Sequence, residues 1–151
     1  MEKTAYQLAE IEISYKPAFK AANRPQIDCA GSAYQIMLEN WSEDRIELLE
    51  EFKVLLLNRR NRVLGIVNLS QGGLSGTIAD AKVIFAIALK ACASSILLSH
   101  NHPSGELSPS PADINLTKRL VEAGKLLDIQ VLDHIILCTD SYFSFKDENL
   151  M

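Results

Sequence analysis

Residues 95–113 read SILLSHNHPSGELSPSPAD, an apolar run followed by a polar loop and the start of a helix. The run at 95–99 predicts a short buried strand that ends at two histidines. Ser110 and Pro111 predict the helix start, because serine is a favoured N-cap and proline is tolerated at the first helical position. We expect this helix to extend to about Leu127. The stretch therefore predicts a strand–loop–helix unit with a histidine pair where the strand becomes the loop.

Strand and helix patterns alternate on both sides of this unit. Apolar or alternating runs bounded by turn residues predict strands, and capping residues before apolar periodicity predict helices. The further predicted strands are 9–15, 52–57, 63–69, 129–137 and 142–145, and the further predicted helices are 28–41 and 80–92. This alternation predicts an α/β or mixed α+β fold around one sheet. We expect a single domain at residues 28–151 behind an N-terminal extension at residues 1–27.

The histidine loop has the residue types of a metal site. His100 and His102 are two residues apart, so in an extended chain their side chains project to the same side. Asp113, in the first turn of the following helix, can reach back over the loop. Two histidines and one carboxylate leave a fourth tetrahedral position open for water, as in catalytic zinc sites. The alternative is a pair of solvated histidines, with Asp113 only completing a capping box with Ser110.

The motif HxHP-x6-SxxD at residues 100–113 resembles the JAMM (MPN+) motif of zinc metallopeptidases. The surrounding sequence, from EEFKVLLLNRRNRVLG to DHIIL, is similar to the RadC-like branch of that superfamily over about residues 28–148. The resemblance implies a single JAMM/MPN domain with a central mixed β-sheet flanked by helices, the cytidine-deaminase-like arrangement. It implies one Zn²⁺ per chain, held by His100, His102 and Asp113. It also implies hydrolysis of an amide bond in a peptide or protein by a metal-activated water.

Two further site residues follow from the resemblance. JAMM enzymes take the proton of the attacking water with a glutamate at an upstream strand entrance. The segment Glu-Phe-x-x-Leu-Leu is similar to the one that bears this glutamate, so Glu51 is the predicted base and Glu50 the second choice. The alternative is that these acids belong to a solvated helix face. Ser110 is expected to support the oxyanion as well as to cap its helix.

Two departures from the family limit what the resemblance implies. Asn101 stands between the histidines where deubiquitinating members carry serine or threonine, which argues against a ubiquitin-type substrate. Longer RadC-like proteins carry a helix-hairpin-helix region that we do not expect in this chain. Glu106 is interpreted as a solvent-facing loop residue. His134 is interpreted as a core or sheet-face residue, with a hydrogen bond to a metal ligand as the alternative.

Composition narrows the class of protein. The 151 residues are 48% hydrophobic and 23% charged, with a formal net charge of −4. This composition excludes a disordered chain. The negative net charge argues against a protein dedicated to coating nucleic acid, since phosphate contacts need a basic surface. The three arginines at 59, 60 and 62 predict a solvated hairpin tip. Three widely spaced cysteines without a CxxC pair predict reduced thiols.

The N-terminus has no hydrophobic signal core, and the most apolar stretch, residues 83–98, is shorter than the ~20 residues of a membrane span. We therefore expect a cytoplasmic protein without a membrane partner. Two alternatives to a peptidase remain at this point. One is a DNA-repair-associated or nucleic-acid-processing accessory protein, and the other is a non-catalytic module that retains a metal. The sequence predicts no oligomeric state.

Overall fold

The computed structural model describes residues 6–14, 16–18, 20–72 and 79–151. It contains a five-stranded sheet, three α-helices and a 3₁₀ helix at Ala21–Asn23. The strands are β1 Glu51–Leu57, β2 Val63–Gln71, β3 Ser95–Asn101, β4 Gln130–Leu137 and β5 Tyr142–Ser144. The helices are α1 Ala30–Glu39, α2 Ala81–Lys90 and α3 Pro111–Leu126. The predicted mixed α+β class with one central sheet is confirmed.

The sheet has the strand order β2-β1-β3-β4-β5. β1 lies antiparallel to both of its neighbours, whereas β3 and β4 are parallel and are joined through α3. A parallel pair needs such a crossover, because the chain must return to the same end of the sheet. β1 and β3 are buried along their whole length, which explains the unbroken apolar runs at 54–57 and 96–98.

The two faces of the sheet carry two separate apolar clusters. On one face Ile84 and Phe85 of α2 and Leu120 of α3 pack against Val54 and Leu98. The other face is covered by the α1 side chains of Ala33, Tyr34 and Met37 together with Trp41 and Ile46. Side chains of a strand alternate between faces. Alternate residues of β1 and β3 therefore belong to different clusters. Whether a residue number is odd or even decides which face of the sheet its side chain lies on, and this rule is used for the site residues below.

The helices start and stop at residues that satisfy free backbone groups. The Asp80 side chain accepts a hydrogen bond from the N–H of Lys82, as predicted for a cap. α2 stops at Lys90, just before Cys92 takes a left-handed φ of 52°. The N-cap of α1 is Cys29, one residue after the predicted start at Asp28, and the Ser32 hydroxyl accepts hydrogen bonds from the N–H groups of both Asp28 and Cys29.

The predicted N-terminal strand is wrong over the residues that the structure describes. Residues 9–14 have no regular secondary structure, and Ile11 and Ile13 are 91% and 80% exposed. Tyr15, the last residue of the predicted strand, lies outside the described residues. An alternating pattern makes a strand only where a neighbour supplies hydrogen-bond partners, and the described part of the sheet offers none here. Within the same residues, no helix is both long and apolar enough to cross a bilayer.

Candidate metal centre

The histidine pair lies where β3 ends. His100 is the sixth residue of β3 and is 1% exposed, and His102 follows directly after the strand. Their side chains lie on the same side of the chain, with the two Nε2 atoms 3.0 Å apart. The ring of Phe52, the β1 residue opposite His100, stacks on the His100 imidazole at 5.8 Å between centroids. The pair therefore lies at the end of a strand that is buried along its whole length.

Two carboxylates approach the same nitrogens. Asp113 Oδ2 lies 3.4 Å from His100 Nε2 and 3.7 Å from His102 Nε2. Glu50 Oε1 lies 3.8 Å and 4.0 Å from the same two atoms. The side chains of Glu50, His102 and Asp113 are each about one-fifth exposed, which leaves one side of the cluster open to water.

These donor atoms fit a tetrahedral zinc ion. With bonds of ~2.0–2.1 Å, neighbouring ligand atoms of such a site lie roughly 3.4 Å apart. The separations among His100 Nε2, His102 Nε2 and Asp113 Oδ2 are 3.0, 3.4 and 3.7 Å. The set Glu50, His100 and His102 also converges, with ligand atoms within 4.8 Å of one another. Two imidazoles and carboxylates are ligands that zinc accepts readily.

The hydrogen bond of His102 on its other nitrogen favours metal binding. His102 Nδ1 lies within hydrogen-bond distance of the backbone carbonyl of Glu106. A carbonyl can only accept, so Nδ1 carries the proton and Nε2 keeps its lone pair in the neutral ring. A metal-binding histidine in proteins almost always donates its other N–H in this way. The Glu106 side chain does not point into the site: it accepts a hydrogen bond from the Ser108 N–H.

Asp113 is held in place by the start of α3. Its Oδ2 accepts a hydrogen bond from the Ser110 N–H, and its own N–H donates to Ser110 Oγ, which is the predicted capping box. Burial raises the pKa of the Asp113 carboxyl, but contacts with the His100 and His102 imidazoles in their protonated form outweigh burial and hold that pKa well below the usual range. The same contact with Asp113 raises the pKa of His102. The cluster therefore favours a cation between the carboxylate and the imidazoles.

Comparison with known proteins places this arrangement in a family. The family model described as "RadC-like JAB domain" matches residues 27–150. The chain belongs to the RadC-like JAB domain family. It is 40% identical to a UPF0758 protein of Alkaliphilus metalliredigens over 150 residues, which cover 99% of this chain and 63% of that protein. The predicted family membership is confirmed, and with it a JAMM-type metal-binding fold.

Other relatives match a shorter stretch of the chain. A UPF0758 protein of Flavobacterium johnsoniae is 48% identical over 101 residues, which cover 67% of this chain and 44% of that protein. One of Porphyromonas gingivalis is 48% identical over 103 residues, with 68% and 45% covered. The chain thus spans less than two thirds of the length of these curated relatives. Their shared name states no activity.

The RadC-like JAB domain brings Glu50, and not the predicted Glu51, to the histidines. Phe52 pairs with His100 across β1 and β3, so residues of even number in β1 share the face of His100. Glu50 has this parity and Glu51 has the opposite one. The Glu51 carboxylate lies 3.5 Å from Lys53 Nζ and 3.3 Å from Arg45 Nε. The expectation that Glu51 faces the metal is therefore corrected, and the solvated helix face does not describe this buried residue either.

The Asn101 side chain anchors the turn before β1, which sequence reasoning missed. It is fully buried, and its side-chain amide donates to the carbonyls of Ile46 and Leu49 at 2.6 and 2.8 Å. Its Oδ1 accepts a hydrogen bond from the Glu51 N–H at 2.7 Å. These three bonds fix the turn that leads into β1 and thereby fix Glu50. The available signal was a polar residue at the end of an apolar, buried strand.

The remaining predicted residues are also placed. Ser110 caps α3 beside Asp113, but its Oγ is engaged with the Asp113 N–H. His134, expected in the core, is fully buried on β4, and its Nε2 lies 2.7 Å from His100 Nδ1. Burial lowers the pKa of His134 well below its ordinary value. His134 therefore lies in the core, as predicted, and it also contacts His100, as the alternative interpretation requires.

Proposed function

We propose that this RadC-like JAB domain is a zinc-dependent peptidase or isopeptidase. The observation that carries the proposal is the convergence of His100 Nε2, His102 Nε2 and Asp113 Oδ2 within 3.7 Å, with Glu50 Oε1 at 3.8 Å from the nearer histidine nitrogen. Three protein ligands and an open position are the arrangement of catalytic zinc sites. When bound, zinc would lower the pKa of a water molecule and polarise a carbonyl oxygen.

We assign Asp113 as the third ligand and Glu50 as the proton carrier. Asp113 Oδ2 is the closer of the two to both imidazoles, and a hydrogen bond from the Ser110 N–H holds it in place. Glu50 lies slightly farther away, at 3.8 and 4.0 Å. Its carboxylate has room to accept a proton from the attacking water and to return it to the leaving nitrogen. A proton carrier must reach the reacting atoms, which Glu51 on the other face of β1 does not.

Ser110 has a supporting part in this proposal. Its backbone N–H orients Asp113, and its hydroxyl lies at the rim of the site at the start of α3. A hydroxyl near the scissile carbonyl can stabilise developing negative charge, and losing one such donor typically costs ~100–1000-fold in rate. In the structure this hydroxyl accepts from the Asp113 N–H and retains its own proton for donation.

The charges around the site favour a peptide over a nucleic acid. A cavity of about 450 Å³ is lined by His102 and by two acidic residues, Glu47 and Asp140. No lysine or arginine lines it among the described residues. A phosphodiester would be repelled there, and phosphoester hydrolysis commonly uses two metals ~3.5–4 Å apart. We therefore propose a peptide or protein substrate and do not retain the DNA-processing alternative.

The proposal is tested by zinc analysis followed by incubation with a peptide library. We expect about one zinc per chain and cleavage that is lost with a chelator and restored by zinc. Asp113→Asn keeps the hydrogen bond from Ser110 and should lose most of both zinc and cleavage. Asp128→Asn removes a carboxylate beyond the other end of α3 and should leave both unchanged. Full zinc content in Asp113→Asn, or no cleavage of any peptide by the zinc-loaded protein, would overturn the proposal.

A further inference from the structure

We infer that His134 and Thr117 form a directed hydrogen-bond relay that keeps His100 Nε2 free of its proton for metal binding. In this view His134 is a positioning residue of the metal centre. The inference rests on the proposed zinc site and adds to it a function for two residues outside the JAMM-type motif. It is carried by the geometry of four consecutive polar groups.

The relay runs from the backbone carbonyl of Asp113 to the imidazole of His100. Thr117 Oγ1 donates to the Asp113 carbonyl at 2.7 Å and lies 2.7 Å from His134 Nδ1. His134 Nε2 lies 2.7 Å from His100 Nδ1. Thr117 and His134 are both fully buried. Neither has solvent as an alternative partner, so the protein groups must satisfy each other.

The direction of each hydrogen bond follows from the one before it. A backbone carbonyl only accepts, so the single hydroxyl proton of Thr117 points to Asp113. Thr117 Oγ1 must then accept a hydrogen bond from His134. The donor is the N–H at His134 Nδ1, which therefore carries the ring proton. Neutral His134 has only one ring proton, so its Nε2 accepts the hydrogen bond that the N–H at His100 Nδ1 donates. His100 Nε2 is therefore left with a lone pair that faces Asp113 and His102.

Aromatic packing holds the two rings of the relay in place. Phe145 stacks on His134 at 4.5 Å between centroids with an interplanar angle of 11°. Phe52 stacks on His100 and meets the edge of His134 at 5.5 Å. The opposite direction of the relay would put the proton of neutral His100 on Nε2, where it would block a metal. The packing around α3 and β4 thus keeps His100 Nε2 unprotonated in the metal-free protein.

The relay is tested first in the metal-free protein. Long-range ¹H–¹⁵N NMR spectra at a pH of about 8.5, above the ordinary histidine pKa of ~6.5, report which nitrogen of each ring is protonated. We expect protonated Nδ1 and bare Nε2 for His100, His102 and His134. In Thr117→Val we expect part of the ring proton of His134 and His100 to move from Nδ1 to Nε2. Thr117→Ser should keep the proton on Nδ1 of both rings. A proton on His100 Nε2 in the parent protein would overturn the relay.

Zinc affinity, measured by competition with a chelator, is the second readout. Loss of such a hydrogen-bond partner behind a ligand typically costs 10–100-fold in metal affinity. We expect a loss of this size in His134→Phe, which keeps an aromatic ring between Phe52 and Phe145, and in Thr117→Val. Thr117→Ser should bind like the parent, as should the control Thr139→Val at an exposed position.

The outcomes separate the two proposals. If the parent takes up no zinc, the proposed function fails, and the nitrogen assignments alone decide the relay. If the parent binds zinc but Thr117→Val binds equally well, the relay fails and the zinc site stands. Thr117→Val also decides the matter if His134→Phe does not fold, because valine has nearly the shape of threonine.

Discussion

The side chain of Asn101 accepts a hydrogen bond from the backbone N–H of Glu51 at 2.7 Å. One residue therefore links the strand that carries the histidines to the turn that carries the two glutamates. Asn101 lies between His100 and His102, so its side chain points to the opposite face of the sheet from theirs. The HxH spacing gives the chain its two proposed metal ligands on one side and an anchor for the neighbouring strand on the other.

This anchor predicts a large loss of stability in Asn101→Ala. The substitution leaves the Glu51 N–H and the carbonyls of Ile46 and Leu49 without their partner, and each unsatisfied buried group costs about 1–3 kcal/mol. We expect a loss of roughly 3 kcal/mol or more in the free energy of unfolding, measured by urea denaturation. Asn68→Ala, at an exposed position of β2, is the control and should change little. Equal stability of both variants would contradict the anchor.

Substitution of the two glutamates should change different properties: Glu50→Gln should lower peptide cleavage, and Glu51→Gln should lower the free energy of unfolding. Glu50→Gln retains the shape of the side chain but cannot carry a proton, so we expect normal zinc content and a fall in peptide cleavage of about 10²–10⁴-fold. Glu51→Gln removes the charge opposite Lys53, which is 4% exposed and also donates to the Asn40 carbonyl. Breaking a buried ion pair on one side costs about 3–5 kcal/mol. We expect Glu51→Gln to unfold at clearly lower urea.

Activity and urea midpoints of both variants decide between these assignments. If Glu51→Gln lost cleavage with unchanged stability while Glu50→Gln behaved like the parent, the placement of Glu50 as proton carrier would be wrong. If both variants cleaved like the parent, neither glutamate would carry the proton.

Zinc removal should destabilise the fold by mass action. A ligand present at a hundred times its dissociation constant adds about 2.7 kcal/mol to the free energy of unfolding. We expect a chelator to remove this increment and to lower Tm. Glu106→Gln should show the same increment as the parent, because only the backbone carbonyl of Glu106 contacts His102. A Tm that does not respond to zinc or chelator would argue against a folded-state metal site.

Two glycines give a matched test of the packing between α3 and β4. A Cβ at Gly124 would lie 2.2 Å from the backbone oxygen of Ile129, whereas a Cβ at Gly65 would meet nothing within 4 Å. Forced overpacking typically costs 1–3 kcal/mol, so we expect a loss of about this size in Gly124→Ala. Gly65→Ala should be neutral or slightly stabilising, because alanine restricts the unfolded chain. Urea denaturation checks both, and a stable Gly124→Ala would mean that the helix end can shift.

The sequence by itself determined the local parts of the site. Ser110 and Asp113 form a capping box from residues three apart, and His100 and His102 share a side because alternate residues of an extended chain do. The start of α3 and the runs of β1, β3 and β4 follow from capping and apolar patterning in the same way. These features depend on neighbours along the chain, so their spacing contains the information.

Only the tertiary structure decided which distant residues meet. Glu50 faces the histidines because β1 pairs with β3 in the register that places Phe52 opposite His100, and a shift of one residue would have presented Glu51. His134 reaches His100 because β4 lies parallel to β3. Residues 9–14 show the reverse case, since their alternation finds no partner strand in the described sheet. Strand pairing joins residues far apart in sequence, and the pattern of one segment does not contain the register of another.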